Sequence, residues 1–321
     1  MRALLTGPTG FIGSHLAEEL LKKGYKVSCL VRKTSDLKWI DGLDARLCYG
    51  DCLDRKSLEE AVEGADLVFH LAGLTKARDE KEFLEVNAGG TERLLEAVAS
   101  RAPSVKMFVF LSSLAAAGPG REGAPVTEET EPRPVSGYGR SKLEAERIVM
   151  RYSEILPVTI IRPPAVYGPR DRDFYVLYKM LSKGIFPYWG KSYYSLVYVE
   201  DLVRGLISAA ESGKAEGKTY FISDKTPYTN LEIAGVIAEA LGRRPLRIPM
   251  PKGLMPAVAS IGKLFGADSS IINSDKAKEM SYPYWVCDPS RAEKELGFSA
   301  QVPMGKGFKW TANWYRIHRW L

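Results

Sequence analysis

Residues 6–20 read TGPTGFIGSHLAEEL. Three glycines, Gly7, Gly10 and Gly13, separate a short apolar run, ALLT, from an amphipathic pattern with helical spacing. The first glycine permits a tight turn, the second lets backbone approach a pyrophosphate, and the third allows close packing of helix on strand. The N-terminus of the following helix then faces the anion. Glycines serving only a turn would not need all three. A strand before the motif and a helix after it make this a dinucleotide cradle.

The same alternation continues outward. KVSCLV, ARLCY, DLVFHLAG, VKMFVFLSS and VTIIRP are short runs rich in β-branched and aromatic residues, and amphipathic helical patterns separate them. Parallel strands joined by crossovers follow from that rhythm, giving an α/β fold with a Rossmann-type doubly wound parallel sheet. After residue 166 the rhythm breaks into the irregular, aromatic stretch GPRDRDFYVLYKMLSKGIFPYWGKSYY. Residues 1–166 are therefore read as the dinucleotide-binding domain, with 195–225 returning to it. Residues 167–194 and 226–321 form a smaller, discontinuous C-terminal substrate domain over the carboxyl ends of the strands.

The 321 residues hold 45 basic and 39 acidic side chains, spread without a basic block, so nucleic acid is not expected as a partner. Cys29, Cys48, Cys52 and Cys287 lack the tandem spacing of a zinc site, and His15, His70 and His318 are scattered; no metal is expected. Reduced thiols and the absence of a leader pattern before RALLTG suit a cytoplasmic protein. No apolar run reaches the roughly 20 residues of a transmembrane segment.

In VSGYGRSKLEAERIV, residues 135–149, Tyr138 and Lys142 stand about one helical turn apart and share a face. A phenol with a pKa near 10 is a poor base at neutral pH. An ammonium about 4 Å away would favour phenolate by roughly 4 kcal/mol at an effective dielectric of about 20. Lys142 is expected to activate Tyr138 in this way, and the positive charge of an oxidised nicotinamide would act in the same sense.

The three-and-three glycine spacing, TGxxGFxG, resembles that of the extended short-chain dehydrogenase/reductase superfamily. Further matches follow in order: GDCLD at 50–54, HLAG at 70–73, VNAGGT at 86–91, LSS at 111–113, YGRSK at 138–142 and RPPAVYGP at 162–169. They span nearly the whole chain and lie nearest the dihydroflavonol-reductase-like and 3β-hydroxysteroid-dehydrogenase-like members. The resemblance implies a cofactor site made of Gly7, Thr9, Gly10, Phe11, Ile12 and Gly13, of Asp51 at adenine with Cys52, of Leu71, Ala72 and Gly73, and of Pro163. It also implies that Ser113 bonds the substrate oxygen, Tyr138 exchanges its proton, and Lys142 also holds the nicotinamide ribose. Ser113 is preferred to Ser112 because it lies five residues before Gly118, the family's spacing. Strand alternation points the two serines apart, so one of them serves. Asn87 would support a proton relay, or else serve as a helix-interior amide bonded to backbone.

The second strand ends VSCLVRKTSD, with Val31 where many NAD-using relatives carry an acid, followed by Arg32 and Lys33. Two bases there suit a 2′-phosphate, so NADP is expected, with NAD as the alternative. Nucleotide-sugar epimerases often place Asn in the segment matching RPPAVYG and Arg before the V-x-D segment. Here Ala165 and Tyr194 stand at those places, which removes diphosphate contacts. The function expected is hydride transfer between nicotinamide and a hydroxyl or ketone carbon of a small, apolar substrate. The alternatives are a nucleotide-sugar epimerase or dehydratase with tightly bound NAD, and a cofactor-sensing interaction protein, which the intact Ser-Tyr-Lys set disfavours.

GLMPAVASIGKLFG offers Leu254, Val258, Ile261 and Phe265 at helical spacing, an apolar stripe of core or pocket. At the C-terminus Trp310, Trp314, Ile317 and Leu321 follow one helical face, with Lys309, Arg316 and Arg319 elsewhere. That face suits docking on its own domain or peripheral contact with a membrane. A homodimer through helices of the sheet layer is the family's habit.

Overall fold

In a computed structural model, which describes residues 1–251 and 274–321, the alternating runs become one parallel sheet. Its strands are β1 (Arg2–Thr6), β2 (Lys26–Val31), β3 (Arg46–Tyr49), β4 (Leu67–His70), β5 (Met107–Leu111) and β6 (Val158–Arg162), with Lys218–Phe221 as the seventh. The order across the sheet is Lys218–Phe221, β6, β5, β4, β1, β2, β3. Every pairing is parallel. The order reverses between β1 and β4, so a crevice opens beyond their carboxyl ends, where sheets of this kind bind ligands.

The central strands are apolar throughout because both faces of the sheet are covered. Period-two alternation divides the core. Ala3 and Leu5 of β1 pack on one face with Leu16 and Leu20 of α1 (Phe11–Lys22) and with Leu202 and Leu206. Leu4 packs on the other face with Leu58, Leu94, Val98 and Ile148.

A third core lies outside the sheet and is largely aromatic. Tyr167, Tyr178, Phe186, Ile233, Ile237, Phe308 and Tyr315 are buried together, and the rings of Tyr167 and Phe308 stack at 4.1 Å. Tyr178 and Tyr315 donate their hydroxyls to the carbonyls of Phe308 and Asp171, both at 2.6 Å. The helix Asn230–Leu241 supplies Ile233 and Ile237; a Thr229–Glu232 capping box starts it and Gly242, at φ 65°, ends it.

The C-terminal helix Met304–Ile317 turns a different face inward than its tryptophans suggest. Phe308, Ala312 and Tyr315 are its buried stripe. Trp314 packs beside them and meets, with Trp320, the Trp39 ring of the loop after β2 in tilted contacts at ring distances of 5.5 and 6.5 Å. Trp310 and Ile317 stay exposed, at 49% and 67%. The expected face thus splits: Trp314 and Leu321 join the core, and Trp310 and Ile317 do not. Leu254, Val258, Ile261 and Phe265 lie outside the described residues. Among the described residues no helix is long and apolar enough to cross a membrane, and no cluster of metal-ligating side chains occurs. The four cysteines are free thiols, and burial pushes those of Cys29, Cys52 and Cys287 up to about 12.

Candidate active site

The glycine turn sits at the carboxyl end of β1, beside β4. Gly7 has φ 71°, and a Cβ there would lie 2.9 Å from the Ala72 nitrogen. A Cβ on Gly13 would overlap the Gly7 carbonyl oxygen. Gly10 is different, because its nearest neighbour would be the same oxygen at 3.4 Å and the residue is exposed. Gly7 and Gly13 are therefore needed for packing, and Gly10 for approach from outside. Gly10 caps α1 without a side chain, so the first N–H groups of the helix, around Phe11 and Ile12, have no side-chain cap. A pyrophosphate fits that open, electropositive end. Thr9 lies within the turn, half-buried.

The flanking strands bring up the other residues expected at a cofactor. Thr6 is in register with Leu30 of β2 and His70 of β4. Arg32 and Lys33, just past β2, are exposed and make no ion pair among the described residues. The Asp51 carboxylate accepts from the Leu53 N–H at 2.9 Å, and Cys52 packs against Gly90. Leu71 and Ala72 donate their N–H groups to the Thr6 carbonyl and hydroxyl, at 3.3 and 3.1 Å. The Pro163 carbonyl accepts from the Leu114 N–H at 2.8 Å.

Beyond β5 the two serines diverge. The Ser112 hydroxyl is buried without a hydrogen-bond partner among the described residues. Ser113 caps the short helix Leu114–Ala117, accepting from the Ala115 N–H at 3.1 Å, and hydrogen-bonds the Tyr138 phenol. They meet because the helix Gly137–Arg151 presses on this segment at Gly139, where a Cβ would overlap the Ala115 carbonyl oxygen.

Lys142 is buried, with its ammonium donating to the Leu111 carbonyl at 2.7 Å and lying 4.6 Å from the Phe110 ring centre. Burial lowers it to about 8, against the attraction of Glu146. Glu146 is held by Arg162 of β6 through two bonds of 2.8 and 2.6 Å, a buried pair that pins the helix to the sheet. The expected depression of the Tyr138 pKa is not found. Burial and the negative charge of Glu279 hold the phenol well above its ordinary range, and the bond to Ser113 acts against them. The lysine amine turns to a carbonyl instead of the phenol.

Asn87 lies in a single π-helical turn, Leu84–Gly89, of a kind that often marks functional sites. Its amide accepts from the Leu74 N–H at 2.7 Å and donates to the Leu74 carbonyl at 3.0 Å and the Ser141 hydroxyl at 2.9 Å. Gly73 lies against Asn87 and Lys142: a Cβ on it would be 3.0 Å from the amide oxygen and 3.6 Å from Nζ. Beneath this group, His70 bridges the Thr6 hydroxyl at 2.7 Å and the Thr91 hydroxyl at 3.0 Å. Thr91 donates to the Asn87 carbonyl at 2.6 Å and Thr6 accepts from Ala72, so the chain closes with His70 neutral, protonated at Nε2 and accepting at Nδ1. Burial, reinforced by the nearby Lys142 charge, lowers its pKa to about 3.

Residues 3–223 match the model of the NAD dependent epimerase/dehydratase family. The chain belongs to this family. Its fold and ordered motifs are those of the family's extended short-chain dehydrogenases/reductases, and it is an NAD-dependent enzyme. It is 30% identical to the ceramide reductase of Caulobacter vibrioides, over 99% of this chain and 95% of that protein. It is 31% identical to the UDP-glucose 4-epimerase of Vibrio cholerae, over 96% and 94%. The solved structure of MoeE5 in complex with UDP-glucuronic acid and NAD superposes with a TM-score of 0.80 at 26% identity, covering 99% of this chain and 100% of that one.

In this member of the epimerase/dehydratase family an aromatic cluster surrounds the candidate catalytic tyrosine. Val135, Tyr194 and Trp285 cluster with Tyr138, and the Phe83 ring lies 6.0 Å from the Tyr138 ring. Ala165 is exposed at the start of a short strand, Ala165–Tyr167. Glu279 also reaches the site, accepting from the Ser136 hydroxyl at 2.7 Å. Sequence reasoning missed Glu279, Thr6 and Thr91, and it left His70 as a turn residue. The available signal was that Thr6, His70 and Thr91 fall inside matched motifs; Glu279 falls in none.

Proposed function

We propose that the enzyme reduces a ketone, or oxidises the matching alcohol, on an apolar substrate, with Ser113 and Tyr138 at the substrate oxygen and Lys142 at the cofactor side. The observation that carries this reading is the wall of Phe83, Val135, Tyr194 and Trp285 around the Tyr138 phenol, with Ala165 and Tyr194 where diphosphate-binding Asn and Arg would stand. The similarity to a ceramide reductase supports it. When bound, the nicotinamide supplies or accepts the hydride. Ser113 orients the substrate oxygen, Tyr138 exchanges a proton with it, and Asn87, bonded on three sides, holds the Leu74 peptide and Ser141 in place. The Gly7–Gly13 turn would hold the pyrophosphate. Arg32 and Lys33, exposed and without an ion pair among the described residues, favour NADP over NAD. The exposed Trp310 and Ile317, near Lys306 and Lys309, would let the C-terminal helix touch a lipid surface, which liposome flotation of a Trp310→Ala/Ile317→Ala variant tests.

The deciding experiment releases the cofactor from freshly purified protein, identifies its redox state, and screens long-chain, steroidal and aromatic ketones against UDP-glucose and UDP-galactose. Turnover of a ketone, with a freely exchanging cofactor, is expected. Tyr138→Phe should then lose about 10³-fold in turnover with cofactor binding intact. Non-exchanging NAD with turnover of UDP-sugars only would replace this reading with that of an epimerase.

A further inference from the structure

The Tyr138 phenol faces negative charge from the second domain. Among the described residues, Glu279 of the helix Ser274–Met280 and Asp173 at the start of the helix Asp173–Ser182 both disfavour its ionisation. On its own helix Lys142 is directed to the Leu111 carbonyl, and on the strand behind it His70 is neutral. Lys276 pairs with Glu279 at 3.5 Å but is half-exposed, with 51% of its side chain in solvent, against 14% for Glu279.

Glu279 also has a structural hold on the tyrosine. It accepts from the Ser136 hydroxyl at 2.7 Å, across 143 residues of sequence. That hydroxyl has one proton, and with it committed to Glu279 an oxygen lone pair is left to accept from the Gly139 N–H at 3.0 Å. The carboxylate thus fixes the rotor of the N-cap of the helix whose second residue is Tyr138. A negative charge at a helix N-terminus is itself favourable. The Trp285 indole donates to the Glu279 carbonyl at 3.0 Å and steadies the segment that delivers it.

We propose that Glu279 is a positioning residue that locks the first turn of the Tyr138 helix through Ser136 and, by its charge, biases the resting enzyme toward the protonated Tyr138 that ketone reduction requires. The proposal rests on the reading of Tyr138 given above. In the reduction a hydride reaches the carbonyl carbon, the C=O π bond opens onto oxygen, and the Tyr138 proton closes the new hydroxyl. The phenolate left behind takes its proton back from solvent. A nearby carboxylate raises the cost of that phenolate, so the reverse oxidation needs a higher pH.

The test reads Tyr138 without any substrate. Phenolate absorbance of NAD-loaded protein, in which the positive nicotinamide pulls the phenol back down, is titrated from neutral pH to the onset of alkaline unfolding as the difference between each protein and its own Tyr138→Phe derivative. Glu279→Gln should move the transition down by about one pH unit. Ser136→Ala, which keeps the charge, should follow the unmodified protein. Lys276→Met keeps the Ser136 bond and removes the opposing positive charge, so it should move the transition upward. Superimposable traces for Glu279→Gln and the unmodified protein overturn the proposal, as does an equal shift in Ser136→Ala. With a ketone in hand, the basic limb of its reduction should fall at lower pH in Glu279→Gln; a uniform rate loss at every pH would mark a purely structural role and overturn the bias. A shifted titration in a protein that turns over no ketone sinks the functional reading and leaves the charge effect of Glu279 standing.

Discussion

Around the glycine turn and at the start of the Tyr138 helix, backbone lies against backbone: Gly13 against the Gly7 carbonyl, Gly7 against the Ala72 nitrogen, Gly139 against the Ala115 carbonyl. In the aromatic core outside the sheet and beside the Tyr138 ring, rings lie against rings, as where Tyr167 and Phe308 stack at 4.1 Å or Tyr138, Tyr194 and Trp285 cluster. The two kinds of contact constrain the chain differently. A backbone contact with no room for Cβ accepts glycine only. An aromatic wall can be repacked by other side chains of similar volume. One glycine turn can therefore be combined with many different aromatic walls.

If the halves are held independently, they should break independently. Phe308→Ala removes a fully buried ring from the aromatic core and should destabilise the protein by about 3–5 kcal/mol in urea unfolding. The variant should still bind NAD with nearly unchanged affinity below its unfolding transition; a parallel loss of NAD affinity would show that the halves are coupled. Gly13→Ala makes the opposite cut. Its Cβ must displace the Gly7 carbonyl, at about 1–3 kcal/mol of strain, and NAD binding should weaken by at least about tenfold. Calorimetry of NAD binding together with urea melts of the same two proteins reads both halves of the comparison.

Lys142 sharpens it further, because the cofactor side also contains a group that costs stability. Its folded pKa, about 8, lies below the ordinary 10.5. Between those values the unfolded chain binds more protons, so the contribution of Lys142 to stability improves as pH rises from 8 to 10.5 and is least favourable below 8. Lys142→Met should then raise the stability of the cofactor-free protein at neutral pH by about 1–2 kcal/mol, after allowing for an unpartnered Leu111 carbonyl, while turnover is lost. The gain should shrink as the urea series is repeated toward the alkaline end. A lysine whose removal destabilises the protein at neutral pH would mean that its bond to Leu111 outweighs its burial.

The same division explains which features are legible in the amino-acid sequence alone. MFVFL and VTIIR announce a doubly covered sheet because apolarity on both faces is a local property of a strand. Gly7, Gly10 and Gly13 announce the turn because its constraint is local, and Ser113, expected from the family's spacing to Gly118, is the serine that hydrogen-bonds Tyr138. The spacing of Tyr138 and Lys142 fixes where their Cβ atoms lie. It does not fix a terminal amine four methylenes further out, which turns to the Leu111 carbonyl. Glu279 and the Thr6–His70–Thr91 chain depend on hydrogen bonds spanning 143, 64 and 21 residues, for which no local pattern exists. Nor does helical spacing say which face of Met304–Ile317 turns inward, because tryptophans and Phe308–Ala312–Tyr315 offer two stripes and Trp39, from a distant loop, decides part of the outcome.

The smallest expected effect concerns the cofactor side alone. Arg32 lies two residues past Leu30, the register partner of Thr6, and so close to the glycine turn. It is exposed, and its backbone N–H is held by the Ser35 hydroxyl at 3.1 Å, which fixes the turn but leaves the guanidinium in solvent. A 2′-phosphate there would gain charge-assisted bonds at low desolvation cost, since the cation is already hydrated. Arg32→Ala should weaken NADPH binding by about tenfold and NADH binding by no more than about twofold. The effect on NADPH should fade at high salt, because an exposed pair is screened. Equal losses for both cofactors would assign Arg32 to the adenosine ring or the turn itself. Tighter binding of NADH than NADPH by the unmodified enzyme would remove the 2′-phosphate from this strand end altogether.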